Sequence, residues 1–293
     1  MNIIYDDCPW ERQFLFQDLF NAETVGNYKI IDNIDYGNIG EFQKLDLHEI
    51  VDNNILVFSS NLWDYVTVLS LVTMLKPKII VHLSDEHGDR TEFQELAKHC
   101  ELLLRQYHFT DYPQYKNIKH IPLGYSSGMF ETNYLELPVK TARERKFKWS
   151  WVGTVHHGSG RRSMLKKFRK LRPNRNGQMD NVEMRELYRD SIFTPCGRGH
   201  SSLDCFRLYE ASACGTIPIV VGSDEEIGET FMHQKNPPWL FFESWDEAVT
   251  ECGNLVNNLD YLDNMSMDLF KWWKARVEGI RNEIRLVCKG VTV

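Results

Sequence analysis

Short apolar runs alternate with stretches of helical apolar spacing along the whole chain. In the first half, residues 2–5, 28–31, 54–58, 78–83, 101–106 and 119–123 form brief apolar or β-branched runs. Each is followed by polar or small residues such as Asp6-Asp7-Cys8-Pro9 or Ser84-Asp85-Glu86-His87-Gly88. Residues 65–75 and 91–99 between them carry helix-like spacing, and Pro77 stops the first of these. Strands separated by helices predict a parallel α/β sheet. In such sheets ligands lie beyond the carboxyl ends of the strands, so the turns after Tyr5, Phe58, Leu83 and Leu123 share one rim.

Residues 131–147 are polar, contain Pro138 and lack a period, which places a domain junction there. A second series follows: strands at 148–152, 191–194 and 217–221, and helices at 161–171, 181–190, 204–214 and 245–259. Residues 265–287 form a long amphipathic segment. The predicted division is 1–140, 141–264 and a helix at 265–293 that packs back across both domains.

The 293-residue length fits two domains, and 42% hydrophobic with 26% charged residues excludes a disordered chain. No run approaches the ~18–20 apolar residues of a membrane span. The two acids in the first seven residues do not suit a signal peptide. Seven cysteines with no Cys-x-x-Cys pair argue for free thiols, no metal site and a cytoplasmic location. The net charge of -7 hides a segregation. Residues 143–198 carry 15 Lys and Arg against 5 Asp and Glu, whereas residues 1–142 carry 11 against 21. One basic segment in an acidic protein suggests a localised anion site.

Two strand–glycine loop–helix units lie in the second half. Trp151-Val-Gly153 leads through Gly158-Ser-Gly160 to Arg161-Arg162. Such a loop aims backbone N–H groups and a helix start at an anion, and arginines supply fork-shaped donors. The spacing matches neither a nucleoside-triphosphatase loop nor a dinucleotide fingerprint. The second unit runs from Gly197-Arg-Gly-His-Ser201-Ser202 to Arg207, Glu210, Ala211, Gly215 and Pro218. Ser201 or Ser202 is expected to cap the helix. Arg207 and Glu210, three residues apart, share a helix face. Such a carboxylate can accept ribose hydroxyls while the guanidinium meets a diphosphate; as a bare i,i+3 pair it would be a surface ion pair.

Phe193-x-Pro195-x-Gly197, Ser202, Arg207-x-x-Glu210-Ala211, Gly215 and Ile217-Pro218-Ile219, preceded by Trp151-x-Gly153 and Arg161-Arg162, resemble the signature of exostosin-type (family 47) glycosyltransferases. The resemblance is sharp over residues 148–224. Within that family it looks most like a small xylosyltransferase branch that includes virally encoded enzymes. It implies a GT-B fold of two facing Rossmann-like domains. It also implies metal-independent, inverting transfer from a UDP-sugar, with UDP-xylose as first choice, to a glycan acceptor, without cofactor or nucleic acid. The oligomeric state is left open. Carried onto this chain, the donor side comprises Gly153, Thr154, His157, Gly158, Arg161, Arg162, Gly197, Ser201, Ser202, Arg207, Glu210 and Ser223.

Inverting transfer also needs a base for the acceptor hydroxyl. Asp85 and Glu86, at a strand end of the first half, are the expected pair. Asp6, Asp7, His87 and Tyr125 are expected on the acceptor side, with Tyr125 either a sugar-stacking residue or a hinge aromatic. Trp272-Trp273 is expected to pack in the core or between domains. Two other classes stay open: a non-catalytic nucleotide-sugar or glycan binder on the same fold, and a nucleic-acid-associated protein using segment 143–198. An NAD-type oxidoreductase is disfavoured by the missing glycine fingerprint.

Overall fold

The structure, a computed structural model, describes residues 1–5, 8–31, 54–60, 64–110, 115–131, 133–155 and 160–291. The chain divides into two compact units, Met1–Pro122 with Val277–Val293, and Leu123–Arg276. The first division falls earlier than the polar stretch around residue 140 indicates, because Tyr125, Phe130 and Tyr134 pack on one another within the second unit.

The first unit is built on a parallel sheet of β1 (Asn2–Tyr5), β2 (Lys29–Ile31), β3 (Asn54–Ser59), β4 (Ile79–Leu83), β5 (Leu102–Arg105) and β6 (Ile118–His120), in the order β2-β1-β3-β4-β5-β6. Every residue of β3, β4 and β5 is buried, which is why their centres, 55–58, 79–81 and 102–104, read as continuous apolar runs rather than alternating ones. Their register stacks Ile55 on Ile79 and Ile79 on Leu102. A short helix α1 (Ala22–Val25) precedes β2. Helix α2 (Tyr65–Leu75) starts at Asp64, whose carboxylate accepts from the Thr67 N–H at 3.0 Å, and turns Val68, Leu71, Val72 and Leu75 onto the sheet. Residues Thr91–His99 are helical as expected, but wound as a 3₁₀ helix.

The second unit holds a parallel sheet of β7 (Phe147–Val152), β8 (Asn174–Gly177), β9 (Ser191–Pro195), β10 (Ile217–Val221) and β11 (Leu240–Phe242), ordered β11-β10-β9-β7-β8. Its helices are α3 (Arg161–Phe168), α4 (Asn181–Arg189), α5 (Phe206–Ala213), α6 (Asp224–Phe231) and α7 (Trp245–Leu255). The pattern misses β8 and β11. The first is Asn-Arg-Asn-Gly at a sheet edge, half-exposed and without an apolar face; the second is three residues long. Trp149 and Trp151 of β7 and Met164 and Phe168 of α3 anchor the core. Gly215, at φ +68°, turns α5 into β10 where a Cβ would sit 2.6 Å from Val139.

Helix α8 (Leu259–Cys288) starts six residues before the expected segment. Its part up to Arg276 groups with the second unit, where Trp273 packs against Tyr209 and donates to the Tyr134 hydroxyl at 2.9 Å. Its part from Val277 groups with the first unit, where Arg281 pairs with Asp18 at 3.5 Å. No helix among the described residues is long and apolar enough to cross a membrane.

Candidate functional site

The second unit gathers its candidate residues where β7 and α5 meet. Arg207 lies in the first turn of α5. Its Nε donates to the Val152 carbonyl at 2.8 Å, and its guanidinium lies over the Trp151 ring at 5.2 Å. Gly153, at φ +142°, makes room for it, since a Cβ there would stand 2.3 Å from Nη2. The spacing Trp151-x-Gly153 thus has a local reason: the ring and the missing side chain together cradle one guanidinium. Burial pulls the Arg207 pKa down, but Cys205, Tyr188, Glu210 and Cys196 around it more than compensate and hold it raised.

Glu210 is buried one turn further along α5. Its Oε1 accepts from both the Ser126 hydroxyl (2.8 Å) and the Ser126 N–H (3.3 Å). Burial raises its pKa against these bonds and the charge of Arg207. Tyr188 lies fully buried beside the pair, and its hydroxyl has no hydrogen-bond partner among the described residues. Cys196 and Cys205 hydrogen-bond each other, and that bond, helped by Arg207, lowers the Cys205 pKa against burial.

The two glycine loops are tied together by Arg161. Its Nη1 donates to the Thr154 carbonyl at 2.7 Å, and Nε and Nη2 donate to the Arg198 carbonyl at 3.1 and 2.6 Å. Gly197 admits this side chain, for a Cβ there would stand 3.1 Å from its Cγ. Arg161, expected on the diphosphate, is therefore buried as the brace of the loops, while Arg162 is exposed. The helix cap also differs from expectation. Helix α5 is entered through Cys205 without a side-chain cap, and the Ser202 hydroxyl accepts instead from the Asp204 N–H at 3.0 Å. Ser201 and Thr154 are exposed. Ser223 caps α6 by accepting from the Glu226 N–H at 3.2 Å. His157 and Gly158 lie outside the described residues.

At the first unit's rim, Asp85 is 3% exposed and its Oδ2 accepts from the equally buried Arg105 Nη2 at 3.0 Å. That carboxylate is committed to an internal ion pair. Glu86 is half-buried and His87 exposed. Asp6 and Asp7 lie outside the described residues. Tyr125 is fully buried in the second unit, edge-on to Phe130 at 4.7 Å and to Tyr134 at 5.4 Å, which is the packing role rather than the sugar platform. Sequence reasoning did not single out Ser126, Tyr188, Glu11 or Gln106. Only Glu11 carried a signal, as an acid just after the first strand.

No protein-family model matches the chain. It is 24% identical over 249 residues to human ribitol-5-phosphate xylosyltransferase 1, a match that covers 72% of this chain and 54% of that protein, so the chain spans about half the length of this relative. Among solved structures, an α-glucosyltransferase in complex with UDP and a 13-mer DNA containing a HMU base superposes with a TM-score of 0.60 at 12% identity, covering 99% of both chains. Anabaena Alr3699/HepE in complex with UDP and glucose gives 0.57 at 10%, covering 99% of this chain and 100% of that one. The spinosyn rhamnosyltransferase SpnG complexed with thymidine diphosphate gives 0.50 at 10%, covering 97% and 100%. The fold is that of the GT-B glycosyltransferases.

Proposed function

We propose that the protein is an inverting glycosyltransferase, distantly related to the exostosin type, that moves a sugar from a UDP-sugar to a hydroxyl of a glycan acceptor without a metal ion. UDP-xylose is the first donor to test. The carrying observation is the Arg207–Glu210 pair on α5 beside the side-chain-free Gly153. A guanidinium fixed on a carbonyl and an indole face is a preorganised cation for a leaving diphosphate. Held by Ser126 through Oε1, Glu210 keeps Oε2 for a ribose hydroxyl. The charge a metal supplies in other transferases comes in this reading from Arg207 and the N–H groups of the glycine loops.

The relative's name supports xylose as the sugar and adds ribitol 5-phosphate to the acceptors worth testing. A reducing cytosolic setting goes with this reading, because Cys196 and Cys205 are within hydrogen-bonding reach as free thiols.

The test is a panel of UDP-, GDP- and TDP-sugars scored by protection against thermal unfolding. A ligand at 100 times its Kd stabilises by about 2.7 kcal/mol. UDP-xylose is expected to protect most, with and without EDTA. Arg207→Ala and Glu210→Ala are expected to lose protection and at least about 100-fold in kcat/KM while remaining folded. Wild-type nucleotide affinity in both variants would falsify the assignment. A protein that binds UDP-xylose but never releases UDP would be the non-catalytic binder.

A further inference from the structure

The rim of the first sheet holds a carboxylate that fits the chemistry better than Asp85. In the order β2-β1-β3, the chain leaves β1 for the strand on one side and returns to the strand on the other. That is the switch point at which open α/β sheets bind ligands, and the segment after β1 lies at its carboxyl end. Residues 8–12 form a fixed turn there. The Glu11 N–H donates to the Cys8 carbonyl at 3.3 Å, the Tyr5 hydroxyl donates to the same carbonyl, and the Arg12 guanidinium lies over the Tyr5 and Phe16 rings at 5.0 and 5.5 Å.

Glu11 is 5% exposed, and its carboxylate accepts from the Gln106 side chain just beyond β5. Gln106 cannot turn round: its Oε1 accepts from the Ser84 N–H at 3.0 Å, so its NH₂ faces Glu11. Ser84 and Tyr107 on this rim hold φ of +68° and +53°, strained values for non-glycine residues of the kind that gather at working sites. Among the described residues no ion pair involves Glu11; the nearby Arg105 is paired with Asp85, and Arg12 is stacked on Tyr5. The Glu11 backbone follows the strand at the switch point, and its nearly buried carboxylate, held only by neutral donors, reaches along the carboxyl rim to the residue after β5, which makes it a poised proton acceptor.

We propose that Glu11 is the base of the transfer, a role that rests on the reading of the protein as a UDP-sugar-dependent transferase. The acceptor O–H gives its proton to the Glu11 carboxylate while its oxygen electron pair forms the new bond to the anomeric carbon. The bond from that carbon to the β-phosphate oxygen breaks, and its electron pair leaves on UDP. Burial, opposed by the Gln106 bond and the residue's own N–H, raises the Glu11 pKa to about 7, where a base works near neutral pH. Among the described residues, the neighbouring titratable groups are Tyr5, Cys8 and Arg12 on the same segment and the Asp85–Arg105 pair beside Gln106, which is uncharged.

The experiment measures UDP release from UDP-xylose, UDP-glucose and UDP-N-acetylglucosamine with ribitol 5-phosphate and p-nitrophenyl glycosides as acceptors, together with UDP affinity, for the wild type, Glu11→Gln and Glu11→Asp. Expected results are a loss of at least about 100-fold in kcat for Glu11→Gln, unchanged UDP affinity, partial activity in Glu11→Asp, and a one-proton acid limb near pH 7 in the wild-type profile. An active wild type with Glu11→Gln within threefold of it, or with a flat profile from pH 5 to 8, overturns the role of Glu11 alone. A wild type that releases no UDP from any donor overturns the transferase reading, and Glu11 as base falls with it.

Discussion

The two sheets end in rims of the same architecture and opposite electrostatics. At the first, the buried cation Arg105 is neutralised within the protein by Asp85, and a second carboxylate, Glu11, is left with only neutral donors. At the second, the buried carboxylate Glu210 is held by Ser126, and a cation, Arg207, rests on a carbonyl and an indole ring. Each rim thus keeps one charge whose protein partners do not fully neutralise it, negative in one unit and positive in the other. That difference suits a proton acceptor in the first and a diphosphate in the second. It also refines the reading of the basic segment. Much of the positive excess of residues 143–198 has internal work: Arg145 is buried against the Ser191 and Gly215 carbonyls, Arg161 braces the loops, and Lys146 pairs with Asp190. The anion site rests on fewer cations than the count suggests.

The contrast can be broken most strongly at Asp85. Asp85→Ala leaves Arg105 buried without its counter-ion and is expected to cost about 3–5 kcal/mol in urea unfolding. A loss below about 1 kcal/mol would show that the first rim does not depend on that pair.

Glu11→Gln comes next, through pH. The folded pKa of about 7 lies above the ordinary 4.5, so the folded state holds the proton more tightly than the unfolded one. Wild-type stability should therefore fall relative to Glu11→Gln as pH rises from about 4.5 to about 7, by up to ~3 kcal/mol, and level off above. Parallel pH-dependent unfolding of the two proteins measures the difference. A constant offset across that window would mean that Glu11 is not lifted by burial. The variant combines greater stability at neutral pH with lost turnover, which a purely structural residue would not do.

At the second rim, Gly153→Ala forces a Cβ onto Arg207 at a φ of +142°. It is expected to cost about 1–3 kcal/mol and to weaken UDP binding by displacing the guanidinium. Gly160→Ala, with open space at φ +67°, is the control and should cost about 1 kcal/mol. Equal effects at both glycines would sink the cradle. The smallest effect is expected at Ser223→Ala, which removes the α6 cap for about 1 kcal/mol of thermal stability.

Sequence reasoning reached the strands of the first sheet because their full burial writes itself as continuous apolar runs. It reached Arg207 and Glu210 because an i,i+3 pair and the glycines around it are local signals. It could not see that Arg161 is turned inwards while Arg162 faces out, since both are arginines at one helix start. It settled on Asp85 and Glu86 and passed over Glu11, since the Arg105 guanidinium that claims Asp85 and the Gln106 amide that meets Glu11 both come from distant positions. Ser126 lies 84 positions from Glu210, with no periodicity to connect them.

What the sequence determined by itself was the alternation of strand and helix, and hence two parallel sheets whose carboxyl rims carry the polar residues. Burial patterns and short-range spacing are properties of neighbouring positions, and those are printed in the chain. What only the tertiary structure decided was the state of each charge. Whether a carboxylate is paired, lifted or idle depends on groups brought from distant strands, and desolvation is fixed only once the chain has closed around it.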